Sequence, residues 1–418
     1  MELDFFSLIV ILFSTLLCFW QGIKGETSNR KLFLCFVYAF VFLYSGVGGA
    51  LKEVPMEYSF YYIAYIVTFT FILKRSSISF NYKKSESSSF TTFINRNATK
   101  FIGLYFLLKI ISLAYPENHL SYLISPPPPS LMEHDFSEEG GTSKMDAISA
   151  LIYFMVSILI PFFYWSLYKY QKQAKYVILL LLINLYLTYC VSGYVGRGTI
   201  LFAGILAFLS LYRTLSPRRR KILLASLAIM TPLILIGFYN YSLIRMGQSV
   251  SSDSFFSIFE ILLLQEIGYP TLYTSYAHLP NTYIYEYFEW LLLLPLPGFL
   301  KFGYGNFELN KIFSINILGL DPSDESFFVL LPGVIGESIF VFGPYFFLIH
   351  AILLAVIMRC VMNTLDNISS LIFVLYYYMI QFSFMLARAG TISIYPSVFK
   401  FFVILIIVLY NIKRRKVA

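Results

Sequence analysis

Apolar positions in this chain fall into long runs separated by short polar stretches. A helix rises 1.5 Å per residue, so about 20 apolar residues cover a hydrocarbon core of ~30 Å. The runs predict eleven membrane-spanning helices, near 5–22, 32–50, 57–74, 101–115, 147–168, 176–193, 199–213, 221–240, 336–358, 369–387 and 392–411. The count becomes ten to twelve if the shorter runs are divided differently. The expected class is an all-α polytopic membrane protein, a single integral domain over 1–418. Its first run lacks a basic leader and a small-residue cleavage site, which reads as a retained span rather than a signal peptide.

Two polar breaks are longer than the rest. Residues 116–146 carry Pro126–Pro129 and "EHDFSEEGG", a solvated loop stiffened by its prolines. Residues 241–335 form a large loop whose two apolar stretches, "SFFSIFEILLLQEIGYP" and "YIYEYFEWLLLLPLPGF", are too short to span. Phe255, Ile258, Phe259, Leu262 and Leu263 recur at helical spacing, with Ser257 and Glu260 off that stripe. This pattern predicts short amphipathic helices on the membrane surface, the second ended by Pro295, Pro297 and Gly298.

Composition strengthens the membrane reading. Hydrophobic residues make up 58% and charged residues 13%, with a mean hydropathy of +0.70. A soluble domain carries about a quarter charged residues, so a large soluble domain is excluded. Aromatics reach 19%, with 34 Tyr and 43 Phe, as an interfacial belt plus lipid-facing bulk requires. The cysteines Cys18, Cys35, Cys190 and Cys360 lie in or beside apolar runs without CxxC spacing, and read as small apolar residues.

The net charge of +8 would suit a nucleic-acid partner, but its placement argues against one. Basic residues cluster in every second connection. The clusters are Lys24, Arg30 and Lys31; then Lys74, Arg75, Lys83, Lys84, Arg96 and Lys100; then Lys169, Lys172 and Lys175. Arg213, Arg218, Arg219, Arg220 and Lys221 follow, then Arg359, then Lys413, Arg414, Arg415 and Lys416. The positive-inside rule makes these connections cytoplasmic, with the C-terminus inside and, for eleven spans, the N-terminus outside. The sequon Asn97-Ala98-Thr99 lies in a cytoplasmic connection and is discounted.

Nine basic residues break the pattern: Lys52, Lys109, Lys144, Arg197, Arg245, Lys301, Lys311, Arg388 and Lys400. Arg197 in "YVGRGT", Arg245 in "YSLIRMG" and Arg388 in "MLARAG" all fall at outer ends of predicted spans. Each is either an anchor whose stem lies in the apolar zone while its head reaches water, or part of a shared anion site. Three on the side where anchoring charge is disfavoured favour the anion site. Guanidinium stays charged and offers a planar fork of donors to phosphate oxygens, and neighbouring glycines let backbone approach closely.

Lys109 sits inside "FLLKIIS", where an unpaired cation costs on the order of 3 kcal/mol, so it is expected to turn inward to a partner. Glu337 opens an apolar run and pairs with a base or serves catalysis. Asp321, Asp324 and Glu325 in "LDPSDESF" form an outer carboxylate cluster: a general base, a metal site, or a capped loop. His278 in the large loop is structural or a catalytic base; His350 lies inside a span, and His119 and His134 in the acidic loop. HExxH, Walker A and strand-preceded GxGxxG motifs are absent, leaving metalloprotease, nucleotide-driven and Rossmann chemistry without support.

"YVGRGTILFAGILAFL" resembles the small-Arg-Gly junction that opens a span in Wzy-type O-antigen and capsule repeat-unit polymerases. "GVIGESIFVFGPYFFLIHAIL" is similar to that family's late span, where an acid precedes an aromatic-Gly pair. The order also matches, with many spans, a large late outer loop, then this span and an Arg-bearing one. The resemblance implies a GT-C-like membrane glycosyltransferase of the bacterial inner membrane, its active site facing the periplasm. It would polymerise repeat units carried on undecaprenyl diphosphate, transferring the growing chain to a new lipid-linked unit and releasing undecaprenyl diphosphate. Implied partners are those lipid-linked glycans as donor and acceptor, membrane lipid, a chain-length regulator and a flippase. No cofactor and no metal is implied. Arg197, Arg245 and Arg388 would grip diphosphates, and Glu337, Asp321, Asp324 or Glu325 would accept the acceptor hydroxyl's proton. His278 keeps open an O-antigen ligase reading, and intramembrane charge keeps open a lipid-linked oligosaccharide flippase; the large loop and the lack of two visible halves weigh against the latter.

Overall fold

In a computed structural model, the structure describes residues 4–50, 54, 56–76, 84–115, 118–126, 147–193, 195–245, 282–294, 296, 301, 304–305, 307–324, 327 and 329–417. Every regular element among them is helical. Nine helices among the described residues are long and apolar enough to cross a membrane. Two of the eleven expected spans, 199–213 and 392–411, are helices whose apolar parts are shorter, Thr199–Thr214 and Tyr395–Val408.

The chain divides into two compact units. The first contains α1 (Phe5–Ile23), α2 (Ser28–Gly49), α3 (Met56–Arg75) and α9 (Ile284–Leu293). It also holds α10 (Leu309–Leu318), α11 (Gly333–Asn367), α12 (Ile372–Arg388) and α13 (Tyr395–Val417). Close packing here depends on absent side chains. Gly46 and Gly49 of α2 meet the rings of Tyr62 and Tyr58 on α3, and a Cβ at Gly46 would come within 2.9 Å of Tyr62. Small residues admit such approach where lipid supplies no hydrophobic drive. The Tyr62 hydroxyl donates to Phe42 O (2.9 Å) beside a π-helical turn, Tyr38–Leu43, in α2.

One end of this unit is tied by charge. Arg30 Nε lies 2.9 Å from Asp366, Arg359 2.6 Å from Glu26, and Thr27 and Asn29 also donate to Asp366. Lys74 Nζ donates to Lys24 O. The basic connections expected on a common side of the membrane, 24–31, 74–75 and around Arg359, therefore do share an end. At the other end, Asp4 N donates to Ala50 O (2.9 Å).

α11 differs from expectation. Its run of 35 residues is no single rod: Gly343 has φ 72° and ψ 173°, and Pro344 follows. Residues 337 and 350 of a straight helix would stand ~20 Å apart, yet Glu337 Oε1 and His350 Nε2 are 3.6 Å apart. The chain folds back at Gly343, a conformation open to glycine, and Pro344 starts the next segment where its missing N–H costs nothing. The span expected at 336–358 therefore corresponds to 344–367, preceded by a wholly buried helix at 333–342.

The second unit contains α4 (Lys84–Ala114) from Phe90 onward, α5 (Ala147–Ser166), α6 (Ala174–Ser192), α7 (Arg197–Thr214) and α8 (Pro217–Arg245). α4 begins well before the predicted 101, because its polar first turns extend the same helix. Lys109 turns inward as expected. Its Nζ donates to Asn184 Oδ1 (2.8 Å) and Thr188 Oγ1 (2.6 Å), and it lies 5.2 Å from the Tyr105 ring. None of the described side chains in the apolar stretch of α8 is buried, and the stretch is long and apolar enough to cross a membrane.

The loop expected over 241–335 is only partly described. The predicted surface helix over 254–270 lies outside the described residues. The second forms at Ile284–Leu293, ending two residues before Pro295. It has a wet or lipid-facing side, with Tyr285 and Leu292 exposed, and a packed side carrying Tyr287 and Trp290. α10, unpredicted, ends in a left-handed Gly319. Of the acidic loop 116–146, residues 118–126 are described and form a short helical turn at Leu120–Leu123, and the rest lie outside the described residues.

Candidate functional site

The second unit holds two of the predicted arginines. Gly193, left-handed at φ 68°, ends α6, and Gly196 caps α7, whose first residue is Arg197. Arg245 is the last residue of α8. Val195 N donates to the Tyr241 hydroxyl (3.1 Å), which donates back to Val195 O (2.8 Å). These bonds join the chain two residues before Arg197 to α8 one turn before Arg245. Both arginines thus belong to one end of the unit, with Arg213 and Arg218–Lys221 at the opposite ends of the same helices. Their side chains lie outside the described residues.

In the first unit Arg388 closes α12, exposed at the end opposite the Arg30–Asp366 network. The turn after it is built around a carboxylate. Ala389 N and Gly390 N both donate to Met385 O (2.8 and 3.0 Å), and Gly390 takes φ 75°. A Cβ at Gly390 would overlap the Glu337 carboxylate. Thr391 then donates twice to Glu337, from its N–H to Oε2 and from its hydroxyl to Oε1.

Around that pair lies a fully buried polar cluster. Tyr287 of α9 meets Thr391 Oγ1 at 2.8 Å, and His350 Nε2 meets it at 3.3 Å. Tyr65 of α3 sits 2.9 Å from His350 Nδ1. Thr391 spends its one hydroxyl proton on Glu337, so Tyr287 donates to Thr391. If His350 is neutral with its proton on Nε2, Tyr65 donates to Nδ1 and every donor leads toward the carboxylate. Five elements meet here: α3, α9, both halves of α11, and the turn between α12 and α13.

The Glu337 carboxylate has the His350 imidazole 3.6 Å away, while its hydrogen bonds come from Thr391. The carboxylate is wholly buried rather than open at the mouth of a span. Sequence reading missed Thr391, Gly390, Tyr287 and Tyr65, and set His350 aside as a residue within a span. The available signals were the "FGP" break, which returns His350 toward Glu337, and the glycine after Arg388.

The acidic turn is described at Asp321 and Asp324; Glu325 and His278 lie outside the described residues. Asp321 Oδ1 accepts from Ser323 N (2.9 Å) and from the Ser323 hydroxyl, and Asp324 Oδ2 accepts from Asp321 N (3.1 Å). The Ser323 bonds hold the Asp321 carboxyl below its usual range. The loop thus bonds to itself through Asp321 and Asp324, and both residues are exposed. Among the described residues no three His, Cys, Asp or Glu side chains converge to hold a metal ion.

Compared with family models, curated proteins and solved structures, the chain finds no match.

Proposed function

We propose that this chain is a polysaccharide polymerase of the bacterial inner membrane, transferring a growing glycan from its undecaprenyl diphosphate to a new lipid-linked repeat unit. The observation that carries the reading is the position of three arginines. Within each unit they end or begin helices at the end remote from the basic clusters. By the positive-inside rule that end faces the periplasm, where anchoring cations are not needed.

Breaking a glycosyl–phosphate bond places negative charge on the departing diphosphate. Cations fixed in advance at that point lower the barrier more than they lower the ground state. In this reading Arg197, Arg245 and Arg388 bind the diphosphates. Asp324, exposed on its turn, accepts the proton of the attacking hydroxyl. Glu337 does not, because its two oxygens are buried and both accept from Thr391.

Alanine at each arginine should shorten or abolish the glycan ladder when the variant replaces the native chain in cells, at equal membrane protein levels. Removal of one such donor costs about 10²-fold or more in rate. Normal chain lengths in all three variants would end the proposal.

A further inference from the structure

We infer that Glu337 is a positioning residue whose buried carboxylate sets the turn that carries Arg388; the functional half of this inference rests on the diphosphate-binding reading of Arg388. Three observations support it. Glu337 is fully buried and offers both oxygens to Thr391, so the carboxylate grips one residue at two points, its backbone and its side chain. Gly390, between Arg388 and Thr391, is the residue against which the carboxylate lies, leaving no room for a Cβ. Ala389 N and Gly390 N both close onto Met385 O, so the gripped turn continues directly into the last turn of α12.

A two-point grip on Thr391 fixes where α12 stops and hence where its last side chain leaves the helix. The fold-back at Gly343 brings the carboxylate to this place, and Tyr287 and His350 hold the Thr391 hydroxyl from two further sides. Tyr287 makes α9, the helix of the large loop, part of the same device. A carboxylate accepts at both oxygens, whereas an amide offers one acceptor and one donor group. Glu337→Gln therefore forces the donors around Thr391 to re-sort. Thr391→Val removes the hydroxyl at nearly constant volume, and Thr391→Ser keeps both bonds.

The test has an arm that does not depend on enzymatic activity. In the detergent-purified full chain, Arg388→Cys is modified by a water-soluble thiol reagent, with the four native cysteines providing the background in the parent chain. The modification rate should change severalfold when Glu337→Gln or Thr391→Val is added, and stay near its starting value with Thr391→Ser. Equal rates in all backgrounds would overturn the inference. Two separate substitutions are used so that misfolding of one leaves the other to decide.

The second arm reads glycan chain length or transfer rate. Glu337→Gln and Thr391→Val should each lose about tenfold, the equivalent of one lost charge-assisted bond, with Thr391→Ser near the parent. Because Glu337 acts through Arg388, the Arg388→Ala/Glu337→Gln pair should be no worse than Arg388→Ala alone. A further loss of about tenfold in the pair would show Glu337 acting independently and overturn the inference. Normal activity of Arg388→Ala would instead end the diphosphate-binding reading of Arg388, and the thiol rates would judge the clamp by themselves.

Discussion

Lys109 and Glu337 are both buried ionisable side chains, and among the described residues neither is bonded to a Lys, Arg, Asp or Glu of opposite sign. Lys109 gives its protons to Asn184 and Thr188, and the Tyr105 hydroxyl also donates to Asn184 Oδ1 (2.8 Å). Removing the charge differs from removing its acceptor. Lys109→Met should change unfolding free energy by no more than about 1 kcal/mol, since Asn184 keeps Tyr105 and the volume is kept. Asn184→Leu removes the Oδ1 that Lys109 and Tyr105 share, leaves the buried ammonium with Thr188 as its side-chain acceptor, and should cost about 3 kcal/mol. Thermal or denaturant unfolding in one detergent measures both, and equal costs would contradict this account of the site. Gly390→Ala meets two obstacles, a left-handed φ and the Glu337 carboxylate. It should destabilise by about 1–3 kcal/mol or more, read in the same assay, whereas a neutral outcome would mean the turn is not held as described.

At the scale of elements, α11 shows what a hydropathy pattern conveys and what it hides. Its apolar residues were legible as membrane-compatible helix, and so were most neighbouring spans, because run length and charge clusters are local properties. The break was not legible from hydropathy. Phe342, Gly343 and Pro344 do not interrupt the apolar run, so the Gly-Pro pair was the one sequence sign of the turn that the left-handed φ of Gly343 makes. The Glu337–Thr391 pair was hidden for a related reason, since 54 residues separate the partners and neither belongs to a spaced motif. The end position of Arg388 could be read, because a cation ending an apolar run declares itself. The element-scale prediction follows from the fold-back. Gly343→Val should separate the two halves of α11 from their present packing and lower thermal stability more than Gly204→Val, a glycine with open space about it. Equal shifts in unfolding temperature would contradict the fold-back.

For the whole molecule, the proposed orientation and function both rest on how charge is divided between the ends of the helices. In the first unit the Arg30–Asp366 and Arg359–Glu26 pairs and the Lys74–Lys24 bond gather three basic connections at one end, leaving Arg388 at the other. In the second unit the Val195–Tyr241 bonds join the beginning of α7 to the end of α8, where Arg197 and Arg245 stand. In the proposed function a lipid-linked diphosphate supplies the anion such ends would bind. The central claim is polymerisation, and the glycan attached to lipid A core in cells deleted for this chain tests it most directly. The account predicts core carrying single repeat units with no longer ladder, restored by the native chain. A ladder that persists at normal length would contradict it, and core bearing no repeat unit at all would do so too, pointing to ligation or lipid-linked transport instead.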